Sequence, residues 1–342
     1  MRNHLMDWVD SKTHPLDTNP MNSWEGQIFR NKVFLLWMLG AMVAPFFPFF
    51  IPYVGNLLIL FSPSPYLLFG YLLNPVHALV SWGAGLSPAF IYTLKTGHWN
   101  LLLVAGQLAI TGLLLGIFLR KGVHPIRAIM FTVFLLGIFE GLSFWLASMK
   151  KGVPIGDWVE GYIGQQLKEG GRAFISPQDQ LQKQAFEAMV NQIKGVLRSI
   201  YPSMVVVVTS LLCLLNMWLA HLGGRSFDVG IVRLKDLLTW TPKKEALWVF
   251  IASGFGLLFL DGGVKVLSLN LFIVTCGVYF VQGVVVIIWW LEKARAAGWM
   301  RILLFAFIGL QQFLLFLVAF LGILDIWVDF RRLRKDNPLK EG

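Results

Sequence analysis

The sequence predicts an all-α protein, a polytopic transmembrane helical bundle with eight or nine crossings and amphipathic interfacial helices. Of the 342 residues, 56% are hydrophobic and only 14% are charged, whereas charged residues make up about 25% of a typical soluble domain. Long uncharged stretches recur between residues 33 and 328, and a hydrocarbon core about 30 Å thick takes roughly 20 such residues per crossing. Residues 204–215 are apolar on almost all sides, which excludes the alternating pattern of a transmembrane barrel.

The uncharged stretches divide the chain into five predicted regions. These are a polar N-terminal tail (1–32), an N-terminal transmembrane bundle (33–148), a polar loop with amphipathic helices (149–202), a C-terminal transmembrane bundle (203–328) and a basic C-terminal tail (329–342). The N-terminal tail has no apolar segment of the kind that a cleaved secretory signal requires.

Hydropathy predicts six separate crossings after residue 99. They are residues 100–119, 127–148, 203–220, 246–260, 267–291 and 302–328. Before them, residues 33–61 and 66–94 are apolar but contain prolines, each of which removes a helix donor and clashes with the preceding turn. These two stretches make two or three crossings, which gives the total of eight or nine.

Amphipathic helices are predicted in and beyond the polar loop. In residues 179–200, apolar side chains recur at three- and four-residue steps, with polar and basic side chains on the other face. Residues 157–167 and 227–240 form two further amphipathic stretches. Pro202 is expected to mark a break before the next crossing. Helices of this kind lie in the headgroup layer or dock on the protein's own helices.

The formal charge of +10 does not predict nucleic acid binding. Lys and Arg cluster in short segments between apolar runs, where they set orientation in the membrane. Both sides of the bilayer are basic, and the dense C-terminal cluster favours a cytoplasmic tail and polar loop. The two cysteines lie inside apolar stretches, and no ligand spacing predicts a metal site or a cofactor. The absence of phosphate-binding, zincin and hydrolase motifs from the sequence predicts no enzymatic activity.

Glu140 is the clearest candidate for a substrate-binding residue. It is an ionisable group near the middle of residues 127–148, where a charge is costly and therefore often functional. A role in binding substrate or protons and a plain hydrogen bond to a neighbouring helix both remain open. Gly137 and Gly141 flank it at a small-xxx-small spacing that lets another helix approach closely.

Four amides within predicted crossings are further candidates for substrate binding: Gln107, Asn216, Asn270 and Gln282. Together with Glu140 they would line a polar pocket if they converge. The alternative for each is a hydrogen bond between helices, which contributes about 1 kcal/mol. For Gln107 this alternative is supported by Gly112 and Gly116, which form a close-packing pair on the same helix.

Charged residues at the end of the last crossing are predicted to have a structural or docking role. Asp325 and Asp329 are four residues apart and share one helix face, and Asp329 can pair with Arg332 three residues on. Arg331 belongs to the same cluster. Of the two, a helix end whose charges reach the membrane interface is the favoured explanation of the cluster.

Four motifs are distinctive: the ending GILDIWVDFRR, a Tyr-Pro-Ser step before the crossing that contains Asn216, the stretch RLKDLLTW, and Asn270 followed by Tyr279, Gln282 and Gly283. Together they resemble the YybS-like family of bacterial membrane proteins. The resemblance covers most of the chain after about Val33. It implies a multi-pass protein of the bacterial cytoplasmic (inner) membrane. The first half of such proteins is similar in pattern to the substrate-binding subunits of energy-coupling-factor vitamin transporters and to the rod-shape protein MreD. No functional residue is transferred.

Two functions from different classes follow. In the first, proline-broken helices and Glu140 bind a small molecule, and a separate energising subunit completes a transport system. In the second, the amphipathic loop and the charged tail form a scaffold that assembles other membrane or envelope proteins. A carboxyl group in mid-membrane favours the first function. The expected partners are the lipid bilayer, other membrane or envelope subunits and a small-molecule substrate, without nucleic acid.

Overall fold

A computed structural model describes residues 32–47, 58–97, 99–171, 180–224 and 237–331. Within these ranges all regular secondary structure is helical, which confirms the predicted all-α fold. The α-helices are α1 (Lys32–Val43), α2 (Pro63–Leu72), α3 (Pro75–Thr96), α4 (Trp99–Arg120), α5 (Pro125–Lys151), α6 (Ile155–Gly171), α7 (Gln180–Gly224), α8 (Glu245–Phe259), α9 (Gly262–Lys293), α10 (Gly298–Leu310) and α11 (Gln312–Val328). Two short 3₁₀ helices lie at Ala44–Phe46 and Ile59–Phe61.

Of the helices in the described ranges, four are long and apolar enough to cross a membrane: α4, α5, α7 and α9. The stretch 302–328, predicted as one crossing, is two helices, α10 and α11, which meet at Gln311 at an angle of 108°. The break follows Gly309, a residue that destabilises a helix interior. Counting this bent pair as one span gives up to five, and α1, α2 and α8 are apolar but shorter. The chain is therefore a multi-span helical membrane protein.

The chain folds as two compact units. Unit 1 comprises residues 1–122 and 215–231, and unit 2 comprises residues 123–214 and 232–342. Helix α7 supplies its last part to unit 1 and the rest to unit 2.

Unit 1 depends on close contact between α2 and α4. A Cβ atom on Gly112 would stand 2.1 Å from the carbonyl oxygen of Pro63, and one on Gly116 would stand 2.2 Å from that of Leu67. The expectation that this glycine pair packs closely is therefore confirmed. On the same helix Gln107 is half-buried, and its backbone carbonyl accepts a hydrogen bond of 2.6 Å from the Thr111 hydroxyl.

Helices α6 and α7 dock on each other through charged side chains in unit 2. Arg198 Nη1 lies 3.1 Å from Glu160 Oε2 and 3.2 Å from Asp157 Oδ1, and Lys194 Nζ lies 3.4 Å from Glu160 Oε1. The hydrogen bond from Arg198, aided by Lys194, holds the pKa of Glu160 below its ordinary value. The predicted helix 157–167 is confirmed, and so is the described part, 180–200, of the predicted helix 179–200. Of the stretch 227–240, residues 227–236 lie outside the described residues.

Pro202 does not end a helix, so the expected break there is wrong: α7 continues through it. A proline lacks the N–H group that would bond the preceding turn, and Asn270 of α9 serves the backbone on either side of it. Asn270 Oδ1 accepts from the Ser203 N–H at 2.9 Å, and Asn270 Nδ2 donates to the Ser199 carbonyl at 2.7 Å. A side chain 67 residues away along the chain therefore supports the helix at its proline.

The substitution Asn270→Asp is expected to destabilise the protein by about 1–3 kcal/mol. A carboxylate of the same shape accepts hydrogen bonds but donates none, so it loses the bond to the Ser199 carbonyl and places a negative charge beside that oxygen. Thermal unfolding in mild detergent measures the loss. Asn191→Asp, at an exposed position of α7, is the matched control, and an equal shift for both variants would contradict the assigned role.

Candidate functional site

A buried ion pair in unit 2 joins the end of α11 to the chain that follows it. Arg331 Nη2 lies 2.8 Å from Asp325 Oδ2, and the two side chains are 0% and 2% exposed. Arg331 Nε donates to the same oxygen at 3.1 Å, while the Phe330 N–H donates to Asp325 Oδ1 at 3.0 Å. Burial of this pair is sustained only because hydrogen bonds satisfy both charges.

The local chain path explains how the two residues meet. Helix α11 ends at Val328, and Asp329 adopts a left-handed conformation with φ of 50°. Its N–H donates to the Asp325 carbonyl at 3.1 Å, and the reversal turns Arg331 back toward Asp325. Asp325 therefore pairs with Arg331, six residues on. The predicted partner of Asp329, Arg332, lies outside the described residues.

Two further segments are tied to the ion pair. Gln282 of α9 donates through Nε2 to Asp325 Oδ2 at 2.6 Å. Arg331 Nη1 donates to the backbone carbonyls of Leu238 at 2.5 Å and of Trp240 at 3.1 Å. The ion pair thus connects α9 and α11 to the segment that precedes α8, and it fixes the backbone of Trp240.

Glycines bring α9 and α11 together beside the ion pair. A Cβ atom on Gly283 would stand 1.8 Å from the Val318 carbonyl oxygen, and one on Gly322 would stand 2.0 Å from the Tyr279 carbonyl oxygen. Gln282 is next to this crossing in sequence, so the short interhelical distance lets its side chain reach Asp325. The side-chain atoms Tyr279 Oη and Gln282 Oε1 are buried and have no hydrogen-bond partner among the described residues.

An apolar cleft of about 640 Å³ lies between α5, α7, α9 and Trp240 in unit 2. We call it the apolar cleft. Its lining residues are Ile126, Ile129, Met130, Val133, Phe134, Gly137, Ile138, Val206, Val207, Ser210, Leu211, Leu214, Trp240, Val274, Gly277, Val278 and Val281. The hydroxyl of Ser210 already donates to the Val206 carbonyl at 2.7 Å. The cleft therefore offers almost no polar group to a ligand.

Among the described residues, no helix makes the close approach to Gly137 and Gly141 that their spacing allows. No described atom lies within 4 Å of where a Cβ would stand on either glycine. Gly137 instead lines the apolar cleft. Because Gly137 has no side chain, the volume beside it is open space in the cleft, and no helix within the described ranges fills it.

Glu140 lies beside the cleft-lining face of α5, not among the residues that line the cleft. Its half-buried carboxylate accepts a hydrogen bond of 3.4 Å from the Tyr201 hydroxyl of α7. The ring of Tyr201 in turn lies 5.7 Å from that of Phe144, centroid to centroid. The structure therefore places Glu140 in a contact between two helices.

The amides singled out in the sequence occupy separate places. Gln282 donates a hydrogen bond to Asp325 of the buried ion pair. Asn270 hydrogen-bonds to the backbone on either side of Pro202. Asn216 and Gln107 belong to unit 1, where Asn216 Nδ2 donates to the Leu60 carbonyl at 2.9 Å. Within the described ranges, no three His, Cys, Asp or Glu side chains group as they would to hold a metal ion.

Sequence reasoning missed the apolar cleft and the part played by Trp240. An apolar lining looks the same in a sequence as apolar helix packing, so hydropathy carries no signal for the cleft. Gly137 could have indicated it, because a glycine on a lipid-spanning helix marks either close packing or free space. Arg331 reaches Asp325 only because the chain turns at Asp329 in a left-handed conformation. No feature of the sequence predicts that turn.

One family of known sequences matches most of the chain. A family model described as a predicted membrane protein, DUF2232, matches residues 41–326. No curated protein and no solved structure matches the chain. Since the family model covers most of the 342 residues, the chain belongs to the DUF2232 family of predicted membrane proteins.

Proposed function

We propose that this chain is a small-molecule-binding membrane component of a transport system, and that its ligand is an apolar or amphipathic molecule held in the apolar cleft. The observation that carries the proposal is the cleft itself. Its volume of about 640 Å³ falls within the range of about 300–1,000 Å³ typical of ligand sites. It lies between three helices that are long and apolar enough to cross the membrane.

The polar side chains support an apolar ligand rather than a polar one. Gln282, Asn270 and Glu140 each hydrogen-bond to another segment of unit 2. A ligand that needed those groups would have to displace these bonds, and each displaced buried group costs about 1–3 kcal/mol. A ligand in the cleft needs no such displacement. An enzymatic role is not proposed, because the cleft presents no nucleophile with a base beside it.

We also propose which membrane the protein lies in, how often it crosses and how it is oriented. In a bacterial cytoplasmic membrane, a total of eight crossings requires the shorter or less apolar helices α1, α2, α3 and α8 to cross in addition to α4, α5, α7 and α9, while the bent pair α10–α11 forms a broken helix that returns to one side. Broken helices of this kind are common around the binding sites of transporters. Arg331, at the start of the C-terminal tail, bonds to the carbonyls of Leu238 and Trp240, so it lies on the side of the bilayer where α5 begins. In this proposal that side, rather than the side of the polar loop, faces the cytoplasm, and a separate energising subunit docks there.

The variant Gly137→Leu tests the cleft. A leucine side chain at that position fills the cleft, so we expect the amount of co-purified small molecule to fall about ten-fold or more. The measurement is native mass spectrometry of protein purified in mild detergent. Gly141→Leu is the matched control, because that glycine also faces open space on α5 but does not line the cleft. Equal ligand content in both variants would overturn the proposal.

A scaffold for membrane or envelope proteins is the second candidate, favoured by the first half of α7. Leu181, Met189 and Val196 are apolar and exposed there, although α6 already covers part of that helix. Such side chains rest in the headgroup layer or contact another protein. A purified chain with an empty cleft, together with crosslinks from Val196 to one membrane protein in cells, would favour this second candidate.

A further inference from the structure

We infer that the apolar cleft is a site for an anionic phospholipid, with one acyl chain in the cleft and the phosphate-bearing headgroup at Arg127, Lys243 and Lys244. The inference deepens the proposed function and rests on it, because it names the class of ligand that the cleft selects. Three features of the cleft favour this ligand: its length, its opening and the charges at one end.

The length of the cleft matches one leaflet of the bilayer. Its lining on α5 runs from Ile126 to Ile138, a helical rise of about 18 Å. Half of the hydrocarbon core is about 15 Å thick. A single acyl chain that enters beside Ile126 therefore runs along the whole lining of α5 and ends near the bilayer centre.

The opening of the cleft faces the surroundings rather than the core of unit 2. Met130, Phe134 and Ile138 line the cleft, and all three are exposed. In a membrane these side chains meet hydrocarbon, so lipid has direct access to the cleft. A water-soluble metabolite would have to cross that hydrocarbon to reach the same place.

Cations flank the end of the cleft at which α5 begins. Arg127 is exposed and follows the lining residue Ile126 directly. Lys243 and Lys244 are also exposed and follow Trp240, another lining residue, by a few residues, a reach of at most about 14 Å. Two candidate crossings, α5 and α7, lie between Arg127 and Lys243, so the chain returns to the same side of the bilayer. Both groups of cations therefore lie on one side.

Within the part of the chain that the structure describes, the cations at the end of the cleft where α5 begins are not paired with carboxylates. Among the described residues, none of the three cations forms an ion pair, whereas Arg198 and Lys265 do. Glu245 is the described carboxylate next to Lys243 and Lys244 in sequence, and the Asp325 carboxylate near Trp240 is already paired with Arg331. Basic groups at the membrane end of a cleft between helices bind anionic lipid headgroups. Trp240, with its backbone fixed by Arg331, supplies the amphipathic ring typical of the interface.

The test compares two lipids with identical acyl chains, phosphatidylglycerol and phosphatidylcholine, by native mass spectrometry of the full-length protein in mild detergent. Wild-type protein is expected to retain phosphatidylglycerol in preference to phosphatidylcholine. Arg127→Gln should lower that preference about five-fold, and the double variant Lys243→Gln/Lys244→Gln about 25-fold, from the usual contribution of a basic residue at an anionic surface. Lys150→Gln, which removes an exposed cation at the other end of α5, should leave the preference unchanged.

Gly137→Leu, with Gly141→Leu as its control, separates this inference from the proposed function. Two results together support the inference. Gly137→Leu loses both lipids, and Arg127→Gln lowers the preference for phosphatidylglycerol over phosphatidylcholine. Equal retention of the two lipids, both displaced by Gly137→Leu, overturns the anionic preference and leaves the proposed function standing. A preference that Lys150→Gln lowers as much as Arg127→Gln overturns the site. No effect of Gly137→Leu on either lipid overturns the acyl-chain site, and if that variant also keeps every co-purified molecule, the proposed function fails with it.

Discussion

Asp325→Asn is expected to destabilise unit 2 by about 3–5 kcal/mol, the usual cost of removing one partner from a buried ion pair. The Arg331 guanidinium, 0% exposed, would keep its positive charge without a carboxylate to balance it. The new amide nitrogen would also face donors that now bond to the carboxylate, from Gln282 and from the Arg331 side chain. Thermal unfolding in mild detergent, followed by helical circular dichroism, measures the loss.

Two further variants make this result specific to the buried pair. Asp261→Asn removes a carboxylate that is 96% exposed and lies 3.7 Å from Lys265, and exposed pairs contribute less than about 1 kcal/mol. Replacing both partners, as in Asp325→Leu with Arg331→Met, is expected to recover most of the stability lost by the single variant, because no charge is then left unpaired. Similar losses in Asp325→Asn and Asp261→Asn would show that the ion pair does not hold this end of α11.

Gly283→Ala is expected to cost about 3 kcal/mol or more, at the upper end of what overpacking costs. The added Cβ would stand 1.8 Å from the Val318 carbonyl oxygen, a backbone atom that moves only if α9 and α11 separate. Separation would also stretch the bond of 2.6 Å between Gln282 and Asp325. The expected result is a lower unfolding temperature in mild detergent.

Gly263→Ala is the matched control for that substitution, because it lies in the same helix and no described atom lies within 4 Å of the added Cβ. There the change should be neutral or stabilising by about 0.5–1 kcal/mol, since alanine loses less backbone entropy than glycine in a helix. If Gly283→Ala is as harmless as Gly263→Ala, the close crossing of α9 and α11 described here cannot be correct.

The residues that sequence reasoning placed well are those whose effect is local. Hydropathy identified α4, α5 and α9 as crossings, because burial of about 20 apolar residues in hydrocarbon is a property of one segment. The close packing at Gly112 and Gly116 was also visible, since small residues at a four-residue spacing form one strip on a helix.

The residues that sequence reasoning placed poorly depend on distant parts of the chain. Pro202 was expected to end a helix because its own chemistry favours a break, and the amide that supports the helix there belongs to Asn270. Gly137 and Gly141 have the same spacing as Gly112 and Gly116, but no described atom stands within 4 Å of a Cβ added at either. Small residues at this spacing permit another helix to pack closely. Whether it does so depends on where the neighbouring helix lies.

The sequence by itself determined that this protein is helical, that it lies in a membrane and roughly where its apolar segments begin and end, because each of these properties is a sum over neighbouring residues. Tertiary structure decided that Asp325 pairs with Arg331 and Gln282, that Asn270 supports α7 at its proline, and that α5, α7 and α9 leave the apolar cleft between them. The physical reason is that a buried charge or an unfilled volume is defined by all the segments around it, and those segments lie far apart along the chain.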